Sequence, residues 1–231
     1  MEKKELLERY EAYGDENVYA EARRAYEQTL AGNGGDARVL HEFGYLQECH
    51  GLRAIRAAAA CYERAIEADP QYDSPHRKLI YVMTALGQAD QAIDRYRQRL
   101  AAAPADPRAH SFLASAYLAA RDYDQAAQVI HAGLELAPDD PSLTAQQGEL
   151  FEATGRPEEA LAAWQRAFAR RPDDLSPRYS TAFLLERQGR LAEAAAEWRF
   201  IVGWCEERGY TITADWPRRE LQRLEARQAG S

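Results

Sequence analysis

Residues 138–172 read PDDPSLTAQQGELFEATGRPEEALAAWQRAFARRP. Two helices and the break between them are legible in that stretch. Asp140-Pro141 starts the first: an aspartate side chain accepts backbone N–H groups at a helix N-terminus, and the proline beside it lacks only a donor that would have no helical partner. Gly155 breaks the chain between the two helices. In the second helix Ala160, Leu161, Trp164 and Phe168 fall at i, i+1, i+4 and i+8, which is one helical face.

The same arrangement recurs outward in both directions. Pro70, Pro104, Pro138 and Pro172 stand 34 residues apart, and so do Ala58, Ala92, Ala126, Ala160 and Ala194. Four residues beyond those alanines come Tyr62, Tyr96, Ile130, Trp164 and Trp198. Asp106-Pro107 repeats the start signal, Ser176-Pro177 offers another, and Gly87 and Gly189 repeat the break. First helices carry their own apolar stripes, such as Leu79, Ile80 and Met83, or Leu113, Ala114 and Tyr117. Small residues recur where paired helices must approach, at Gly44, Ala114, Gly148 and Ala182. A fixed period of this length marks a chain of stacked supersecondary units. No segment alternates apolar and polar residues for long enough to make a sheet.

These residues resemble the tetratricopeptide repeat family, whose pattern sets a leucine-glycine pair, an aromatic, alanine, aromatic, alanine and proline at fixed offsets. Residues 141–174 match through Gly148, Phe151, Gly155, Ala160, Trp164, Ala167 and Pro172; 73–106 match through Leu79, Gly87, Ala92, Tyr96 and Pro104. Residues 107–140 match through Leu113, Ala114, Tyr117, Ala126 and Pro138. The unit 37–72 matches with two residues inserted between Gly51 and Ala58. In the unit 175–208, Glu206 replaces the proline, so its second helix is expected to run on through Trp204. Residues 1–36 look like a degenerate first unit, with Tyr10, Tyr13, Ala22, Tyr26 and Leu30 in phase. Residues 209–231 fit a capping helix opened by Asp215-Trp216-Pro217, with Trp216, Leu221 and Leu224 on one side. The resemblance implies an all-α, right-handed superhelical solenoid of antiparallel helix pairs, about six units and a cap.

It also implies that first helices line a concave groove that holds another protein or peptide. The exposed face, taken at spacings of three and four, contains Arg38, His41 and Tyr45, then Arg77 and Tyr81 with Lys78 beside them. Arg108, Ser111 and Ser115 follow, with Phe112 adjacent; then Glu149 and Glu152; then Tyr179, Phe183 and Glu186. The first half is basic and tyrosine-bearing, which suits an acidic segment: guanidinium groups grip carboxylates, and tyrosine adds contact area. Some family members hold a chaperone's terminal carboxylate with lysine, asparagine and arginine. Here His41 and Tyr45 stand in matching slots and no asparagine does, which argues against that specificity. Self-association through the ends of the solenoid is the alternative function.

Composition narrows the rest. Lys and Arg total 29 against 37 Asp and Glu, a net charge of −8, which repels a phosphate backbone and argues against nucleic acid. No apolar run approaches the roughly 20 residues of a membrane span. The N-terminus has no signal-peptide core, and the three cysteines contain no CxxC pair, so a reducing cytoplasmic setting is expected. Cys49, His50 and Cys61 supply too few converging ligands for zinc. His76 and His110, 34 apart, fall in core slots and are expected to pack. Gly32-Asn33-Gly34-Gly35 follows a helix and lacks the lysine-threonine ending of a phosphate loop. No nucleophile–base constellation or cofactor fingerprint stands out, so neither an enzyme nor a cofactor is expected.

Overall fold

A computed structural model describes residues 3–13, 15–33, 35–49, 55–210 and 214–229. Among them lie thirteen helices and no strand: α1 Lys3–Tyr13, α2 Glu16–Asn33, α3 Ala37–Cys49, α4 Ile55–Ala68, α5 Asp73–Ala85, α6 Ala89–Ala102, α7 Pro107–Ala119, α8 Tyr123–Leu136, α9 Pro141–Ala153, α10 Pro157–Arg170, α11 Ser176–Arg187, α12 Leu191–Glu207 and α13 Asp215–Ala229. The architecture is all-α and built of helix pairs.

The start signals act as capping chemistry requires. Asp140 accepts the Leu143 N–H at 2.8 Å, and Asp106 accepts that of Arg108 at 3.0 Å. Ser176-Pro177 departs from this expectation. Helix α11 already includes Ser176, no side chain caps it, and Asp174 instead accepts the Ser176 N–H at 3.0 Å. Gly87, Gly155 and Gly189 have φ of 74°, 77° and 74°, the left-handed geometry that closes a helix with its last carbonyls satisfied. Arg121 takes the equivalent place with φ 61°, a conformation strained for any residue with a Cβ.

The chain forms two compact units, Met1–Gln98 and Arg99–Ser231. In the first, Leu6, Leu7 and Tyr10 of α1 pack with Tyr19, Ala22 and Tyr26 of α2 and with Phe43 and Leu46 of α3. A second cluster joins Ala58, Tyr62 and Ile66 of α4 to Leu79, Val82 and Met83 of α5. Each of the leucines, Ile66, Val82, Phe43 and Met83 among them, once fully buried, contributes about 1.5–3 kcal/mol of hydrophobic transfer free energy. His76 is 1% exposed and His110 is 6% exposed, as packing residues; the His76 ring lies 3.2 Å from both the Tyr96 hydroxyl and the Pro70 carbonyl.

In the second unit the tryptophans organise the core. Gly148 of α9 lies so close to Trp164 of α10 that a Cβ there would stand 2.5 Å from the indole nitrogen. That indole donates to the Ala145 carbonyl at 3.1 Å. Helix α12 runs through Trp204 to Glu207. Helix α13 packs on α11 and α12 through Leu224, which is fully buried, and the partly buried Leu221. Trp216, expected to turn inward with them, remains 46% exposed.

Candidate functional site

In the first unit, the expected face residues of α3 and α5 come together across neighbouring helix pairs. The Lys78 ammonium lies 4.3 Å from the centre of the Tyr45 ring, a distance at which charge and ring quadrupole attract. His41 Nε2 lies 2.8 Å from the Ser74 hydroxyl, and its ring packs on Tyr62 and Tyr72. Burial, with the Lys78 charge second, pushes the His41 imidazole down to about 4. His41 is therefore a neutral fastener between α3 and α5 and adds no charge near neutral pH. Arg38 is exposed and lies 3.2 Å from the Glu42 carboxylate. Arg77 is exposed and has no ion-pair partner among the described residues, and Tyr81 is 58% exposed one helical turn on.

In the second unit, Arg108 is exposed, 3.7 Å from the Asp106 carboxylate that also caps its helix. Phe112, expected beside the partner face, is 2% exposed, with the Arg99 guanidinium over its ring. The helical turn carries it inward, away from the exposed side of α7. Ser111 is buried as well. Gln146 covers that stretch: its amide donates to the Ser111 carbonyl at 2.8 Å and to the Ser115 hydroxyl at 2.6 Å. Sequence spacing missed Gln146 because it sits one position off the stripe that periodicity picks out.

Further along, Glu149 is exposed. Glu149 and Glu152 of α9 line a cleft of about 690 Å³ with Leu184 and Arg187 of α11, and Glu152 pairs with Arg187. Phe183 is 40% exposed and Tyr179 is half-buried. Trp216 of α13 lies against both rings, at centroid distances of 5.9 and 5.6 Å. Trp198 stands beneath, edge-on to Phe183 at 5.2 Å and to Trp216 at 5.3 Å. Glu186, expected among the face carboxylates, is turned inward. One oxygen accepts the Trp198 indole N–H at 2.8 Å and the other meets the Arg223 guanidinium at 2.5 Å. Trp204 is half-buried beneath Arg208 and Tyr210.

Cys61 is buried, and burial pushes its thiol up. The Cys49 side chain and His50 lie outside the described residues, as does Gly34. Among the described residues no helix is long and apolar enough to cross a membrane.

Successive helix pairs, three of them turned by a left-handed glycine and all offering first-helix faces of changing chemistry, define a helical-repeat protein. Two tetratricopeptide repeat models match the sequence, one at residues 52–115 and 83–149 and the other at 146–198, which together span more than half of it. The chain belongs to the tetratricopeptide repeat family, whose members generally mediate protein–protein interactions. A thermophilic tetratricopeptide repeat protein of Thermus thermophilus superposes with a TM-score of 0.55 at 22% identity, over 84% of this chain and 97% of that one. Yeast Tom70 gives 0.54 at 15% identity, over 90% of this chain and 44% of its own. Both likenesses concern the fold. No curated protein matches by sequence.

Proposed function

We propose that this chain is a non-enzymatic cytoplasmic interaction module that captures an acidic, partly apolar segment of another protein on the face of α3 and α5. The observation that carries this reading is the cluster of Lys78 over Tyr45 with Arg77 and Tyr81 exposed on the same helix. A basic surface on a chain of net charge −8 runs against the molecule's own balance. It steers acidic partners, while tyrosine contributes rigid contact area at low entropy cost.

The test is capture of the native partner from its own cell extract. A chain carrying Arg77→Glu and Lys78→Glu should lose that partner, while a chain altered at the exposed His131 should keep it. Retention by the double variant at wild-type strength would remove the assignment. The alternative, self-association through a terminal helix pair, draws on the exposure of Trp216. A single monomer mass by light scattering across a concentration series rejects it.

A further inference from the structure

Arginine carries almost all of the positive charge in this chain. Of its 29 basic residues 26 are arginine, and Lys78 is the single lysine after Lys4. Arginines lie over the rings of Phe112, Phe151, Phe168 and Trp204, and Lys78 does the same for Tyr45 at 4.3 Å. Guanidinium stays charged throughout the working pH range and stacks on rings at least as well as ammonium. Neither charge nor ring contact therefore calls for lysine at position 78. What lysine has and arginine lacks is an amine whose charge acylation removes. That chemistry sits within the basic–tyrosine surface: Arg77 precedes Lys78, and the exposed Tyr81 follows on the same helix. Lys78 and Tyr45 are both half-buried, so each reaches solvent in part. Lys3 and Lys4 lie on α1, where Lys4 meets Glu8 at 3.8 Å.

We propose that Lys78 is a modification site, and that acetylation of its amine weakens the surface of α3 and α5 for an acidic segment. The inference rests on the acidic-segment reading of that surface and adds its regulation. The Lys78 ammonium first gives a proton to solvent. Its Nζ then attacks the carbonyl carbon of a thioester acetyl donor. The C–N bond forms, the C–S bond breaks, and the departing thiolate takes the second amine proton. The amide that results is uncharged, so it neither draws a carboxylate nor holds the Tyr45 ring as a cation does. Arg77 keeps its charge, because the modification acts on the amine alone. Acetylation therefore lowers the affinity of the surface without reversing its sign.

Two measurements on the full chain test this. Peptide mapping by mass spectrometry of the chain purified from its own cells should find acetyl-Lys78 in a fraction of the molecules. A labelled glutamate-rich, tyrosine-containing peptide, titrated by fluorescence polarisation, then reads the consequence. Chain carrying acetyl-lysine at position 78 should bind it about tenfold more weakly than wild type, with helix content unchanged by circular dichroism. Lys78→Gln should lose about as much. Lys78→Arg should bind as wild type does, and treatment with a thioester acetyl donor should weaken wild type but not this variant. Unmodified Lys78 at every stage of growth, or wild-type affinity in the acetylated chain, overturns the proposal and leaves the acidic-segment surface standing. Loss of binding in Lys78→Arg also overturns it, since lysine would then be required for its shape. A wild-type chain that does not bind the peptide removes the surface itself, and the regulation with it.

Discussion

Helix pairs α9–α10 and α11–α12 place a tryptophan in the same slot, yet the two indoles point to different partners. Opposite Trp164 stands Gly148, and the indole donates to a backbone carbonyl of its own pair. Opposite Trp198 the slot holds Ala182, and the indole donates to Glu186. A methyl at the Gly148 position would collide with the ring placed as Trp164 is. One methyl group thus goes with a redirected hydrogen bond. The redirected bond recruits a carboxylate from the face, and that carboxylate also grips Arg223 of α13. A repeat can therefore turn a residue expected on its exposed face into an internal fastener without changing its length. His41 is the counterpart in the first unit, where a residue expected on the face ties α3 to α5 through Ser74.

The sharpest way to break the comparison is to make the two pairs alike. Gly148→Ala should destabilise the second unit by about 2–3 kcal/mol, because the Trp164 ring has to leave a packed site. Chemical denaturation followed by tryptophan emission would show it, and an unchanged midpoint would mean that the indole has room to move. Glu186→Gln comes next. It keeps an acceptor for Trp198 but removes the charge that meets Arg223, so a loss of about 1–2 kcal/mol is expected, with faster amide exchange in α13. Exchange in α13 that matches wild type would show that the fastening lies elsewhere.

The His41 fastener should appear as a pH effect. Its folded value of about 4 lies below the ordinary 6.5. Between those values the unfolded chain binds more protons than the folded one, so stability rises with pH through that window and is lost on acidification. Between pH 7 and pH 5 the loss should be about 1 kcal/mol after allowance for the ring's partial exposure, and His41→Gln should flatten that slope. Smallest is Arg121→Gly, which relieves a left-handed arginine and should stabilise the second unit by about 0.5–1 kcal/mol in thermal melts.

Much of the architecture was legible in the sequence because a repeat states each rule several times. The prolines, glycines and small residues at constant spacing fix helix starts, breaks and close approaches. Ser176 was misread because a serine-proline pair looks like a cap whether or not the helix begins one residue later, and only backbone geometry decides. The exposed faces of the first helices were legible in part. Arg77, Lys78 and Tyr81 lie where helical spacing puts them. Phe112 and Ser111 do not, because a first helix is covered on two sides by neighbouring helices and periodicity alone does not give the width of the open stripe. Glu186 was missed for another reason: its fate depends on where an indole points across twelve residues.

Calorimetric titration of the full chain with a glutamate-rich, tyrosine-containing peptide, repeated at rising salt, tests most directly whether α3 and α5 carry the proposed basic–tyrosine surface for an acidic segment. Wild type should bind, with affinity falling as salt rises, and Arg77→Glu with Lys78→Glu should weaken binding about a hundredfold. Equal affinity in wild type and variant, indifferent to salt, would contradict it.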